Sequence, residues 1–257
     1  MDTHKEINDL KGYEWLDEYP KLYSLHNGKF EYYINDVEAI RFTQNTGDPF
    51  WTFYVQDEEE DYIENIFITL DPLIKLDFER TFDEEKAEIR IYATDIPSIE
   101  ESLIKESGIG QNVKGFTYPT HLLDYGYSEI YTNNEGFSNE ELKGTLYHEI
   151  GHVLGLSHPG GSGGNPNYNG LDTVMSYNRP PWTGGFTELD IAALQSIWGE
   201  ENESKNTPSQ LLLENISFKE SIKKGTTIAI LKASNIDEQE SHYFHLIDNY
   251  SDSQDNN

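Results

Sequence analysis

The chain has no cysteine among its 257 residues. No disulfide can staple it, and no thiolate can hold a metal, so a metal site here would need imidazole or oxygen ligands. Zero cysteine does not fix the compartment. Cations are scarce: 18 Lys and Arg stand against 47 Asp and Glu, for a formal net charge of −29. That balance argues against a nucleic-acid partner and against an anionic membrane surface. Most of it reads as solubility. No run reaches the ~18 apolar residues of a membrane span. The opening residues, MDTHKEINDLKG, lack the apolar stretch of a Sec-type signal peptide. Methionine is as sparse, with Met175 the only one besides Met1. The length suffices for one large domain, or for one domain and part of another.

Against these gaps stands one dense stretch, His148-Glu149-Ile150-Gly151-His152-Val153-Leu154-Gly155-Leu156-Ser157-His158. It reads H-E-x-x-H-x-x-G-x-x-H. On a helix His148 and His152 lie about 40° apart and one turn apart, so both imidazoles can reach one ion. Glu149 falls within the same arc, near a metal without having to ligate it. Leu146, Ile150, Val153 and Leu154 fall on the opposite arc, a core-facing stripe. A continued helix would point His158 away. Gly155 can take the left-handed conformation that ends a helix and lets the chain turn back. Three imidazoles with a fourth position open to water are the pattern of a catalytic zinc site. A single histidine is most often a satisfied core side chain. Three at ligand spacing, with a glutamate and a well-placed glycine, are not explained that way.

HEIGHVLGLSH resembles the zinc-binding signature of the metzincin metallopeptidases, and Pro159 directly after it is similar to the serralysin branch. Val174-Met175-Ser176-Tyr177 resembles the Met-turn of that family. The plainer reading of Met175 is an ordinary core residue. Tyr177 matches the tyrosine that in serralysins and astacins ligates zinc or swings away to stabilise the transition state. The plainer reading of Tyr177 is one surface aromatic among 17 tyrosines. The run FTELDIAALQSIWG, residues 186–199, resembles the closing helix of serralysin catalytic domains. The resemblance covers residues 60–199, sharply at 148–159 and 174–177 and diffusely elsewhere.

The fold class this implies is α+β. A twisted mixed sheet packs on the active-site helix, a smaller C-terminal subdomain follows the third histidine, and a partial β-sandwich tail comes last. The expected boundaries are an N-terminal arm at 1–36, the peptidase-like domain at 37–199, a polar linker at 200–210 and a β-rich segment at 211–257. The arm is aromatic and charged without a clear period. Strands are expected at 37–43, 50–55, 76–82, 87–93, 114–118 and 125–133. The five acids at 57–61 read as a helix N-terminus favoured by its dipole. Calcium is the sharper alternative there, but no calcium-loop motif supports it. Ile63, Ile66, Phe67, Leu70 and Ile74 continue at helical spacing, and Pro72 should kink or restart that helix with Asp71 as its cap. By position, 125–131 is the candidate edge strand along the substrate cleft. The active-site helix should run over 139–154, with a capping box at Ser138 and Glu141 and a staple of Phe137 and Leu142. Residues 160–170 read as a flexible glycine-rich loop. Thr187 with Asp190 should cap the closing helix.

The tail from Glu214 to Asp248 resembles the opening strands of a cadherin-like repeat. Such a sandwich takes about 100 residues, so the copy here is expected to be incomplete. No G-G-x-G-x-D nonapeptides occur, so the calcium-binding β-roll that follows many serralysin catalytic domains is missing. Serralysins leave bacteria by a one-step route with a C-terminal signal. A secreted, extracellular bacterial protein is therefore the expectation, with its route left open.

The function expected is a zinc-dependent endopeptidase acting on extended protein or peptide substrates. His148, His152 and His158 hold the metal, Glu149 is the general base, and Tyr177 is a ligand or oxyanion donor above the Met175 turn. The competing reading is a non-enzymatic adhesion module with a vestigial zinc site. An intact Glu149 and Tyr177 speak against it.

Overall fold

The computed structural model describes residues 7–12, 29–42, 49–94, 114–120, 127–133, 139–178 and 184–201, and the backbone of 210–214 and 230–234. The chain divides into two compact units, Met1–Glu201 and Asn202–Asn257. Within the first, the described residues form a mixed sheet of seven strands and three helices longer than one turn: β1 Lys29–Ile34, β2 Ala39–Phe42, β3 Pro49–Phe53, α1 Asp57–Leu70, β4 Asp77–Arg80, β5 Ile89–Thr94, β6 Gly115–Thr120, β7 Tyr127–Asn133, α2 Asn139–Val153 and α3 Glu188–Trp198.

β5 is the centre of the sheet. Along one edge it pairs in parallel with β7, from Ile89↔Ser128 to Thr94↔Asn133. Its first half also pairs in parallel with β1, and its last two residues pair antiparallel with β3. β2 continues antiparallel from β3, β4 lies parallel to β1, and β6 lies antiparallel to β7. Alternate residues of these strands feed two cores, as the two-residue period of a strand requires. Ile34, Ile89, Ile91, Ala93 and Ile130 join Leu146, Ile150, Val153 and Leu154 of α2 and residues of α1 and α3 in the larger one. Tyr33, Tyr92 and Tyr131 point the other way and pack with Phe50 and Phe116.

Two sequence expectations change here. Residues 1–36 are not only an arm, because β1 lies inside the sheet between β4 and β5. Its consecutive Tyr32, Tyr33 and Ile34 are all buried. Only Lys29-Phe30-Glu31-Tyr32 alternates, too short a run to mark a strand before the continuous buried stretch. Residues 125–131 are not an edge strand either. β7 is paired on both sides, and among the described residues β6 holds the outer position.

α1 opens with Asp57, Glu58, Glu59 and Glu60 in its first turn, where the helix dipole favours them. It buries Ile63, Ile66, Phe67 and Leu70. It stops before Pro72, and a 3-10 turn over Asp71–Leu73 follows. Asp71 does not cap that turn as expected; its carboxylate accepts the Phe78 N–H at 2.9 Å, at the start of β4. α2 and α3 keep their expected extents, and the Thr187–Asp190 capping box forms. Ser138 and Phe137 lie outside the described residues. Trp198 of α3 donates its indole N–H to the Leu154 carbonyl at 2.9 Å, fastening the closing helix to the end of α2.

In the second unit, β8 Gln210–Glu214 and β9 Ile230–Ser234 form an antiparallel pair in the register Gln210↔Ser234. The rest of the stretch that resembles a cadherin-like repeat, beyond 234, lies outside the described residues. No described helix is long and apolar enough to cross a membrane.

Candidate metal centre

α2 delivers the first two histidines. His148 and His152 stand one turn apart, with ring centroids 4.7 Å apart. Then Gly155 breaks the helix at φ 98°. Its N–H donates to the His152 carbonyl at 3.0 Å, and the Leu156 N–H to the Gly151 carbonyl at 2.8 Å. These are the two bonds of a Schellman ending, which needs the left-handed residue that glycine supplies without strain. The reversed chain brings His158 back, its ring 5.2 Å from His148 and 4.8 Å from His152. One ring nitrogen from each of the three histidines lies within 4.8 Å of the others. Glu149 is not part of that group.

The imidazoles are prepared as ligands. His148 Nδ1 lies 2.9 Å from the Val174 carbonyl, and His152 Nδ1 lies 2.9 Å from the Leu156 carbonyl. A carbonyl only accepts, so each Nδ1 carries the proton and each Nε2 keeps a lone pair. Burial pushes His148 down to about 4, holds His152 well below its ordinary value, and lowers His158. All three rings are therefore neutral at pH 7, the state in which imidazole binds metal. The Nε2 atoms of His148 and His158 are 3.2 Å apart. Two corners of a tetrahedron around an ion bound at about 2.0–2.1 Å have nearly that separation. The donor set thus fits zinc.

Glu149 sits in the same turn but faces β6. It is buried, and the Thr117 hydroxyl donates to its Oε2 at 2.9 Å. Burial raises its pKa to about 7, with the Thr117 hydrogen bond opposing the rise. β6 approaches this closely because Gly115 has no side chain. A Cβ there would stand 2.5 Å from Thr145 Cγ2.

Met175 is fully buried against the floor of the site. A Cβ on Gly151 would lie 2.9 Å from its Sδ. The turn carrying it is held by Asp190 of α3, itself fully buried. Asp190 Oδ1 accepts the Thr173 hydroxyl at 2.5 Å, and Oδ2 accepts the Val174 N–H at 3.1 Å and the Thr187 N–H at 2.9 Å. The Thr173 oxygen accepts the Met175 N–H at 3.1 Å. The other end of that same peptide unit is the Val174 carbonyl that faces His148. A carboxylate, a hydroxyl and a peptide thus stand in series behind the first imidazole.

Tyr177 leaves the turn exposed along its ring, with its hydroxyl 2.7 Å from His158 Nε2. Desolvation, with a contribution from the charge of Glu149, pushes its pKa up to about 12. Its N–H donates to the Gly163 carbonyl at 2.8 Å. The loop at 160–170, expected to be flexible, is tied in several places. Asn165 Nδ2 donates to Pro159, and Asn178 Nδ2 donates to the carbonyls of Asn165 and Tyr168.

The sequence-predicted His148, Glu149, His152, His158, Met175 and Tyr177 are therefore all brought to one place. Sequence reasoning missed Thr117 and the reach of Asp190. Thr117 lies on a strand read correctly as a strand, but its partner is 32 residues away. Asp190 was visible only as half of a helix cap.

No family model matches the chain. Over 79 residues it is 43% identical to Serralysin G of Dickeya chrysanthemi. One part of the chain is similar to a serralysin. The matched stretch is 24% of this chain and 17% of that relative, well under two thirds of its length. A solved structure described as the GM1 bound form of the ECX AB5 holotoxin covers 70% of this chain and 84% of its own, at 15% identity and a TM-score of 0.43. A likeness that weak assigns neither fold nor function.

Proposed function

We propose that the chain is a serralysin-like, metzincin-type zinc endopeptidase. The observation that carries this reading is the gathering of three neutral imidazoles beside a buried carboxyl that is not among them. A purely structural site has no use for that carboxyl. Bound by the three histidines, a zinc ion would supply Lewis acidity to a scissile carbonyl and lower the pKa of water. His148 and His152 are oriented for it by their Nδ1 bonds to carbonyls. Glu149 takes the proton of the attacking water and passes it to the leaving amine. Burial, which raises its pKa in the metal-free site, favours its taking up that proton. Tyr177 donates its hydroxyl to the developing oxyanion; its raised pKa keeps that proton in place. The outer edge of β6, next to Glu149 through Thr117, suits an extended substrate added as a further strand.

The substrates on this reading are proteins or peptides, and the protein acts outside the cell. The antiparallel β8–β9 pair of the second unit fits a cadherin-like β segment there. The test is a casein or gelatin zymogram with and without a zinc chelator, run beside Glu149→Ala. Glu149→Ala should retain zinc and lose about 100- to 10,000-fold in kcat/KM, the scale of general acid–base catalysis. Undiminished cleavage by that variant removes Glu149 from the mechanism. Zinc uptake without any cleavage favours the adhesion reading.

A further inference from the structure

Residues 7–12 touch the backbone turn that presents His158. Residues 7–9 make a short helical turn, closed by the Leu10 N–H on the Ile7 carbonyl at 3.2 Å. Leu10 is fully buried and belongs to the same core cluster as Leu154 and Leu156. Its carbonyl accepts the Ser157 N–H at 2.7 Å, and the Gly12 N–H donates to the Gly155 carbonyl at 3.2 Å. Lys11 and Leu156 thereby form an antiparallel bridge. Asp9 accepts the Tyr168 hydroxyl at 2.9 Å, which ties the segment to the loop beyond His158 as well.

The three histidines are not held alike. His148 and His152 are fixed by a helix and by Nδ1 bonds to carbonyls. His158 stands on a turn past the helix end, where backbone groups lose their intrahelical partners. The Gly155 carbonyl and the Ser157 N–H find those partners on Gly12 and Leu10. We infer that residues 7–12 are a brace that positions His158, so that an N-terminal segment sets the third corner of the metal centre. Leu10 and Gly12 are positioning residues, acting through the turn and touching neither metal nor substrate.

The placement of the turn is independent of the peptidase reading, and only the consequence for metal rests on it. The experiment uses the full chain with Leu10→Ala, Leu10→Met and Gly12→Pro, the last removing one donor. Amide hydrogen exchange is measured without metal, and Co(II) affinity and visible spectrum are then recorded. Exchange over 155–158 should quicken at least tenfold in Leu10→Ala and Gly12→Pro, while 142–152 and β5 keep their wild-type rates. Co(II) affinity should fall about 10- to 100-fold, as for lost supports of a metal ligand, with an altered d–d band. Leu10→Met should restore both. Wild-type exchange over 155–158 in Gly12→Pro, or acceleration spread evenly over the chain, overturns the brace. Should Leu10→Ala fail to fold, Gly12→Pro decides alone. A wild-type chain that takes up no metal sinks the peptidase reading, and the exchange data still judge the brace.

Discussion

Tyr177 depends on a residue that carries no side chain. A Cβ at Gly163 would lie 2.4 Å from the Tyr177 ring, so glycine there is what lets the ring lie over the loop and its hydroxyl reach His158. Tyr177→Phe should lower kcat about 100-fold with little change in KM, as for one lost oxyanion donor. Gly163→Ala should move kcat the same way while zinc content stays constant. Steady-state kinetics with metal analysis checks both, and an unchanged kcat in Tyr177→Phe would remove the hydroxyl from the reaction. At this scale much was legible. The histidines, Glu149 and Gly155 share one helix and its ending, so spacing alone carries their geometry. Thr117, Leu10 and Gly163 were not legible, since each acts across a tertiary contact that no local period records.

Among the elements, α3 matters beyond its own packing. Asp190 closes the helix N-terminus and holds the Thr173–Met175 turn with the same carboxylate. Asp190→Ala strands the Thr173 hydroxyl, the buried Val174 N–H and the part-buried Thr187 N–H. It should cost about 2–4 kcal/mol, from a lost cap together with unsatisfied buried donors. Denaturant unfolding measures that loss. Zinc affinity should fall with it, because the Val174 carbonyl that orients His148 belongs to the loosened turn. The cap itself could be read from Thr187 and Asp190. Its second task could not, because the turn and the helix meet only in the fold. Around β2 the strand was legible from its alternation, but which face is exposed was not, since Ile40 and Phe42 are the exposed residues. The buried β1 was not legible, and the neighbour relations of β6 and β7 depend on pairings that no single strand encodes.

The whole molecule is strongly acidic, and one partly buried ion pair shows how it tolerates that charge. Arg41 of β2 donates to Glu84, a few residues before β5, through its two terminal guanidinium nitrogens Nη1 and Nη2, and the Tyr92 hydroxyl donates to the same carboxylate at 2.8 Å. Burial opposes ionisation of Glu84, yet these hydrogen bonds outweigh it and bring its pKa below the ordinary 4.5. A lowered folded pKa means stability that is present above the unfolded value and lost as pH falls through the folded one. Wild type should therefore lose stability relative to Glu84→Gln on going from pH 6 to below pH 4. Paired denaturant midpoints across that window check this, and parallel curves would contradict it. The charge balance and the absence of cysteine were plain from composition, whereas the partner of each charge was not.

The measurement that bears most directly on the account is zinc binding by the folded chain. Purified protein is stripped with a chelator, shown to remain folded, and titrated with zinc beside His158→Ala. One tight equivalent per chain, weakened strongly in His158→Ala, is the result predicted. A folded wild-type chain that binds no zinc, or binds it equally well without His158, would contradict the metal centre on which the peptidase reading rests.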